Sequence, residues 1–318
     1  MQKLILSLWF LFLLNCSSSG TNHRPELNDL NSVKTSNKSD DEFRTYEPLL
    51  SPERVVEHYR DMRQFQTLEF YKRMEKKYDF SNGQFRSLMT IEEAFEELEN
   101  YVDASDPDLA LPNLLHLLQT AEGIRRANLP DWMQLTGLLH DMGKIMFLWG
   151  TEEDGQDGTS SNSKQWALGG DTFVLGCKIP DDAVVFPEFN KLNPDMSHPV
   201  YQTKFGIYKP NCGIDQLKWA WGHDEYMYRM LVANKTTLPQ EALDMIRFHS
   251  AYPMHEKGAY RYFFASGDEE RIEWVKLFNR FDLYTKDEEY DLRDKLDDLM
   301  PYYRSLMAKY SLSGKLKW

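Results

Sequence analysis

A histidine and an aspartate stand side by side in an apolar stretch, at His140 and Asp141. Burying an imidazole and a carboxylate together is costly unless a partner compensates their polarity. A divalent metal ion is such a partner, because imidazole suits iron, zinc and manganese, and a carboxylate can bridge two ions. Taken alone, the pair is equally consistent with a helix-buried histidine that bonds to its neighbour.

Further polar residues are set into apolar stretches in the same way, and they are His116, His223, His249 and Asp282. Together with the first pair they make four histidines and two aspartates. Six nitrogen and oxygen ligands are enough for two metal ions that share one carboxylate, and the absence of thiols disfavours a structural zinc site. The sequence therefore predicts a dinuclear metal site.

Two lysines follow candidate ligands at a spacing of four residues: Lys144 follows His140, and Lys286 follows Asp282. Residues i and i+4 share one face of a helix, so both ammonium groups are predicted to point towards the metals. Nearby cations are expected to lower a lysine pKa and make the group a usable proton donor or acceptor. Either lysine alone is also consistent with an ordinary surface residue.

The segments that carry these residues are predicted to be helical from their apolar spacing and their caps. The predicted helices span 52–78, Ile91–Tyr101 with Thr90 as its cap, Asn113–Asn128, Asp131–Trp149, 213–234, 239–250, 269–285 and 298–310. Only Thr172–Leu175 and Ala183–Phe186 are typical of strands. The expected fold is all-α, with a minor β-hairpin.

Composition limits the class of protein. The chain has 318 residues, of which 42% are hydrophobic, so it can bury a sizeable core. Its net charge of −13 argues against a nucleic-acid binder, which needs a basic face. Three cysteines, Cys16, Cys177 and Cys212, exclude a disulfide-rich scaffold. There is no clear membrane span of roughly 18–20 apolar residues.

The chain divides by composition. Residues 1–20 resemble a signal peptide, with a basic start, a short apolar region and small residues after it. Residues 21–42 are polar and are predicted to be a disordered linker. One catalytic domain is expected over 43–318, and within it 150–164, which is acidic and rich in Gly and Ser, is predicted to be a flexible surface loop insertion.

Longer strings of residues resemble a known family. The order His…His-Asp…His…His…Asp is that of the HD-domain superfamily, which is a helical bundle around a dinuclear metal site. More specific strings are Ser105-Asp106-Pro107-Asp108, Gln119-Thr120-Ala121-Glu122-Gly123-Ile124-Arg125, Gly170-Asp171-Thr172-Phe173, Trp221-Gly222-His223-Asp224-Glu225-Tyr226-Met227-Tyr228, Ile246-Arg247-Phe248-His249-Ser250 and Phe281-Asp282-Leu283-Tyr284-Thr285-Lys286. With the tail from Pro301 to Trp318, they resemble myo-inositol oxygenase over about residues 43–318.

The resemblance implies a non-haem di-iron enzyme that uses O₂ to cleave myo-inositol to D-glucuronate, with iron in a mixed-valent Fe(II)/Fe(III) state and no organic cofactor. Carried over motif by motif, it implies that His116, His140 and Asp282 hold one iron and that His223 and His249 hold the other. It also implies that Asp141 bridges the two irons. Lys144 and Asp141 are the expected catalytic residues.

The resemblance also implies a set of contacts to the substrate. These are Arg44, Asp103, Ala104, Ser105, Lys144, Gly170, Asp171, His249, Ser250 and Lys286. A neutral polyol with hydroxyls on every side needs fixed donors and acceptors on several sides, which suits this mixture of residues. Without the resemblance, Arg44, Asp103 and Gly170 would be ascribed to a salt bridge, a cap and a turn.

Location is predicted from conflicting signals. The resemblance implies a soluble cytoplasmic enzyme, and the catalytic part has no disulfide framework, so we expect a cytoplasmic location. The protein is also expected to be a monomer. Residues 1–20 are the argument for the alternative, which is export or a lipid anchor on Cys16, and only then would the protein associate with a membrane.

Two other functions are consistent with the same residues. The first is an HD-type metal-dependent phosphohydrolase or phosphodiesterase, in which two metals activate water and Lys144, Lys286 and Arg44 contact the phosphate. The second is a non-enzymatic ligand-binding or membrane-tethered interaction protein. Iron content, inositol-dependent O₂ uptake and nucleotide hydrolysis distinguish these three functions.

Overall fold

The computed structural model describes residues 51–99, 101, 103, 105, 113–157, 164–285 and 292–318. The α-helices of these residues are α1 (Glu53–Phe65), α2 (Leu68–Lys77), α3 (Ile91–Leu98), α4 (Asn113–Arg126), α5 (Asp131–Leu139), α6 (His223–Ala233), α7 (Gln240–Phe248), α8 (Tyr252–His255), α9 (Asp268–Tyr284) and α10 (Leu296–Lys309). Short 3₁₀ turns join several of them. The predicted all-α class is confirmed.

Local capping explains where two of these helices begin. Thr90 caps α3 with a capping box, in which its hydroxyl accepts from Glu93 N and the Glu93 carboxylate accepts from Thr90 N. This cap was predicted. The single helix predicted over 52–78 is wrong, because Thr67 caps α2 and its hydroxyl accepts from Phe70 N at 3.1 Å, so that α1 and α2 are separate.

The helix predicted over Asp131–Trp149 is also divided. Its α-helical part, α5, ends at Leu139, and a 3₁₀ turn follows over Met142–Leu148. His140 and Asp141 therefore lie at the point where the α-helix ends, not within it. The helix predicted over 213–234 is similarly shorter, because only a 3₁₀ turn at Ile214–Gln216 precedes α6.

The small β element is not the predicted hairpin. β1 (Leu88–Met89) pairs antiparallel with β2 (Leu316–Lys317), so the two strands come from distant parts of the chain. In the predicted strand Thr172–Leu175, Val174 forms only an isolated bridge to Trp219, and Ala183–Phe186 contains no strand. A minor antiparallel element is confirmed, but its predicted location is wrong.

Helices α4 and α5 form the centre of the core. Every residue of α5 after Asp131 is buried, as expected for a helix that is apolar on all sides. A Cβ at Gly137 would lie only 2.9 Å from the Cα of Ala121, so glycine allows the two helix backbones to approach closely. This close approach brings His116, which lies on α4, near His140, which directly follows α5.

The predicted insertion at 150–164 is described only up to residue 157 and at Lys164. Gln156 is fully buried, and its carboxamide oxygen accepts from Tyr78 Oη at 3.0 Å. The expectation that the whole segment is a surface loop is therefore wrong at Gln156. The signal-like residues 1–20 and the linker 21–42 lie outside the described residues. Among the residues that are described, no helix has the length and apolar character needed to cross a membrane.

Candidate metal centre

Three helices bring the first ligand group together: His116, His140 and Asp282. His116 lies on α4, His140 follows α5, and Asp282 lies on α9. The Nε2 atoms of the two histidines are 3.2 Å apart. The Oδ1 atom of Asp282 is 3.0 Å from Nε2 of His116 and 3.4 Å from Nε2 of His140.

The second ligand group consists of His223 and His249. His223 is the first residue of α6, and His249 follows the last residue of α7. Helices α6 and α7 pack against each other, and the two Nε2 atoms lie 2.9 Å apart. Both side chains are buried.

Asp141 lies between the two groups and presents one carboxylate oxygen to each. Its Oδ2 is 3.5 Å from Nε2 of His116 and 3.8 Å from Nε2 of His140. Its Oδ1 is 2.9 Å from Nε2 of His223 and 3.5 Å from Nε2 of His249. One ligand atom each of His116, His140 and Asp141 lie within 4.8 Å of one another, and so do those of Asp141, His223 and His249, so each side of Asp141 could hold a metal ion.

Three of the four histidine rings are oriented by hydrogen bonds at their other nitrogen. Nδ1 lies 2.9 Å from Gly137 O in His140, 2.6 Å from Leu168 O in His223 and 2.9 Å from Ile246 O in His249. A carbonyl oxygen only accepts, so each Nδ1 carries the hydrogen. The Nε2 lone pairs are then directed at the site, which is the arrangement that metal-bound histidines require.

The carboxylates of the site are held in their charged form. Burial alone would raise the pKa of Asp141, but Lys144, His140 and His223 hold it well below its usual range. Burial would likewise raise the pKa of Asp282, and its close contacts with the imidazoles of His116 and His140 reverse that direction. A buried set of carboxylates and imidazoles fits divalent or trivalent cations that prefer nitrogen and oxygen ligands.

Lys144 lies beside the bridge, but not as predicted. It belongs to the 3₁₀ turn after α5 and donates to Asp141 Oδ2 at 2.7 Å, so the expected shared helix face with His140 is wrong. Nζ also lies 2.7 Å from Oδ2 of Asp103. Burial would lower the pKa of Lys144, but these two carboxylates raise it well above its usual value, which is opposite to the predicted direction.

Other predicted substrate contacts lie on the segments 103–105, 169–171 and 250. Ser105 Oγ donates to Asp103 Oδ1 at 2.6 Å, and a Cβ at Gly169 would touch both of these side chains. Asp171 Oδ1 accepts from Tyr59 Oη at 3.0 Å, and Ser250 O accepts from Thr172 N at 2.8 Å. The predicted contacts Arg44, Ala104 and Lys286 lie outside the described residues.

Two residues of α1 in this region are not among those predicted: His58 and Tyr59. Both are buried, and they contact the stretch that contains Gly169, Gly170 and Asp171. The available signal is a histidine on an otherwise apolar face of an amphipathic helix. Such a histidine is more often a satisfied core residue than a site residue, so the pattern alone does not identify it.

A buried ion cluster behind the second ligand group was not predicted either. Glu225 is 1% exposed and accepts from Arg247 Nε and from Arg229 Nε, each at 2.7 Å. Glu225 is two residues after His223 on α6, and Arg247 is two residues before His249 on α7. The ion pair between Glu225 and Arg247 therefore links α6 and α7, the two helices that position the second ligand group.

The fold and the site define a helical protein whose buried histidines and carboxylates could hold two metal ions. The family model described as myo-inositol oxygenase matches residues 52–318. The inositol oxygenase of Mus musculus is 46% identical over 285 residues, which cover 88% of this chain and 92% of the relative. The inositol oxygenase of Dictyostelium discoideum is 42% identical over 304 residues, which cover 94% of this chain and 98% of the relative.

A plant relative, inositol oxygenase 1 of Arabidopsis thaliana, is 41% identical over 279 residues, which cover 87% of this chain and 84% of the relative. The chain therefore belongs to the myo-inositol oxygenase family, which confirms the resemblance inferred from its motifs. Oxygenases are oxidoreductases, so the predicted enzyme class is confirmed as well.

Proposed function

We propose that this protein is an inositol oxygenase that uses O₂ and two iron ions to cleave the ring of myo-inositol to D-glucuronate. The observation that carries the proposal is the position of Asp141, whose two oxygens face separate histidine groups. The family membership supplies the reaction class and the polyol substrate.

In this proposal His116, His140 and Asp282 hold one iron, His223 and His249 hold the other, and Asp141 bridges them. The bound irons, in a mixed-valent Fe(II)/Fe(III) pair, supply the redox chemistry with O₂. The protein contributes a dry, fixed set of ligands, because all six side chains are buried and three of the imidazoles are oriented by backbone carbonyls.

Lys144 is the proposed catalytic lysine next to the bridge, where it acts as a charged hydrogen-bond donor. Its ammonium group donates to Asp141 and lies within ion-pair distance of Asp103, so it can hold a proton at the boundary between metal and substrate. Around it, Asp103, Ser105, Gly170, Asp171 and Ser250 would supply donors and acceptors to the hydroxyls. Arg44, Ala104, His249 and Lys286 complete the proposed substrate contacts.

The phosphohydrolase alternative has less support. A phosphate site needs uncompensated positive charge, whereas the Lys144 ammonium is flanked by two carboxylate oxygens at 2.7 Å. This pairing neutralises its charge and suits a neutral polyol better than a phosphate ester.

The chain is further proposed to act as a cytoplasmic monomer. Cell fractionation with sequencing of the mature N-terminus tests this location. A chain that begins near Cys16 or Ser17 in an exported or membrane fraction would establish export or lipid anchoring instead. Sedimentation of the purified protein tests the monomeric state.

The central experiment combines iron quantification with product identification. After anaerobic reconstitution we expect about two irons per chain, followed by O₂ uptake and D-glucuronate formation from myo-inositol. Lys144→Ala should retain iron and lose most turnover, while Lys178→Ala, an exposed control, should retain both. Nucleotide hydrolysis without glucuronate formation would favour the phosphohydrolase, and a chain that binds no iron would refute the proposal.

A further inference from the structure

His58 is a buried histidine that belongs to neither ligand group. It lies on α1, is 6% exposed, and its Nε2 is 3.2 Å from the carbonyl oxygen of Gly169. Because a carbonyl oxygen only accepts, Nε2 carries the hydrogen. In the neutral ring Nδ1 is then an acceptor, and within the described residues it is buried with no hydrogen-bond partner.

The neutral form is favoured by the surroundings of the ring. Burial lowers the pKa of His58, although the carboxylates of Asp103, Asp61 and Asp171 act in the opposite direction. A neutral imidazole with an unsatisfied buried acceptor is unfavourable unless a donor reaches it. A hydroxyl group is small and neutral, and it can donate a hydrogen bond to Nδ1 of His58.

The backbone at Gly169 and Gly170 is enclosed from two sides. A Cβ at Gly169 would lie 2.9 Å from the Asp103 carboxylate and 3.0 Å from Ser105 Oγ. A Cβ at Gly170 would lie 2.8 Å from His58 Nε2 and 2.9 Å from Met62 Sδ, and Gly170 has a φ of +96°, which favours glycine. His58 and Asp103 therefore approach the same short stretch of backbone.

The same stretch is connected to the second ligand group and to the predicted substrate contacts. Leu168 O accepts from His223 Nδ1 at 2.6 Å, and Asp171 accepts from Tyr59 Oη at 3.0 Å. A shift of Gly169 and Gly170 would thus misplace Asp171, whereas Leu168 is held separately by the bond from its N to Gln165 O at 2.8 Å.

We propose that His58 is a positioning residue of the polyol site, which fixes Gly169 and Gly170 through Nε2 and accepts a hydroxyl hydrogen bond of the bound polyol at Nδ1. The inference rests on the proposed function, since it takes myo-inositol as the polyol. It assigns to α1 a role in substrate affinity that is separate from iron binding, because the described contacts of His58 are with Gly169 and Tyr59.

The test compares His58→Phe, which keeps a ring but removes both polar nitrogens, with His58→Gln, whose amide can reach Gly169 O. In the iron-loaded enzyme, His58→Phe should raise the KM for myo-inositol and its calorimetric Kd about 5- to 20-fold, with kcat within about threefold and iron unchanged. His58→Gln should recover most of this loss. His198→Phe, the same change at an exposed histidine, should match the wild type.

Wild-type KM and Kd in both His58 variants would overturn the inference while leaving the proposed function intact. Loss of iron or of the fold in His58→Gln as well as in His58→Phe would also overturn it, because His58 would then be a structural residue only. A wild-type enzyme that neither binds nor converts myo-inositol would overturn both the inference and the proposed function.

Discussion

Gly143 lies two residues after Asp141 and faces the backbone of His223. A Cβ at Gly143 would lie 2.7 Å from the carbonyl carbon of His223 and 3.0 Å from its Cα, and closer still to the carbonyl oxygen. Carbon atoms in contact are about 3.5–4.0 Å apart, so Gly143→Ala requires the 3₁₀ turn and the start of α6 to separate by about 1 Å.

This separation would open the gap between Asp141 and His223, whose Oδ1 and Nε2 atoms are now 2.9 Å apart. Metal–ligand distances tolerate only about ±0.2 Å, so a shift of about 1 Å exceeds the tolerance severalfold. We expect Gly143→Ala to lower the free energy of unfolding by about 1–3 kcal/mol and to lose metal from the second ligand group before the first.

Iron content, a urea titration and turnover with myo-inositol measure these effects. Gly83→Ala is the matched control: a Cβ there meets no atom within 4 Å, but its φ of +75° costs an alanine about 1–2 kcal/mol. It should be destabilised to a similar extent and keep its iron. Full iron content and wild-type turnover in Gly143→Ala would show that this close approach does not set the spacing of the two groups.

Three further predictions follow from the site. Asp141→Ala should lose both metals, because its carboxylate faces both groups, and full metal content in this variant would refute the bridge. Glu225→Ala leaves the buried Arg247 with only the exposed Asp215 carboxylate at 3.6 Å, so urea titration should show a loss of about 3–5 kcal/mol, against about 0–1 kcal/mol for the exposed pair removed in Glu256→Ala. Lys144 and Arg247 outweigh burial and lower the pKa values of Asp103 and Glu225 in the folded state. Because a lowered folded pKa stabilises only above the unfolded value, the metal-free protein should lose stability as the pH falls below about 4, and a flat urea midpoint there would contradict this.

The helical class and the set of candidate ligands could be predicted because each rests on local pattern. Apolar spacing marks the helices, and a lone polar residue in such a stretch is visible in the sequence, as at His116. The cap at Thr90 follows from its own side chain and that of Glu93. These features depend on residues close to one another along the chain.

Features that depend on tertiary packing could not be predicted in this way. The break before α2 depends on Thr67 acting as a cap within a continuous amphipathic pattern, and β1 pairs with β2 more than 200 residues away. The orientation of Lys144 follows from the end of α5 at Leu139, which places the lysine in a 3₁₀ turn. His58 becomes recognisable only when residues 169–171 fold against α1.

The short distance between His223 and His249 has a consequence for metal loading. Both Nδ1 atoms face carbonyl oxygens and carry hydrogens, while the two Nε2 atoms are 2.9 Å apart. Without a metal, two neutral rings in these tautomers would turn their lone pairs towards each other, so we expect one ring to take up a second proton. Burial would lower the pKa of His249, but its hydrogen bond to Asp141 raises it, which favours that extra proton.

A metal ion that enters the second ligand group must therefore displace a proton. Acid competes directly with the metal, so the apparent affinity should increase with pH, and the iron content of a purified sample will depend on the pH at which it was loaded. Calorimetric titrations in two buffers of different ionisation enthalpy would count the released protons, and identical heats in both buffers would show that the metal-free site holds no such proton.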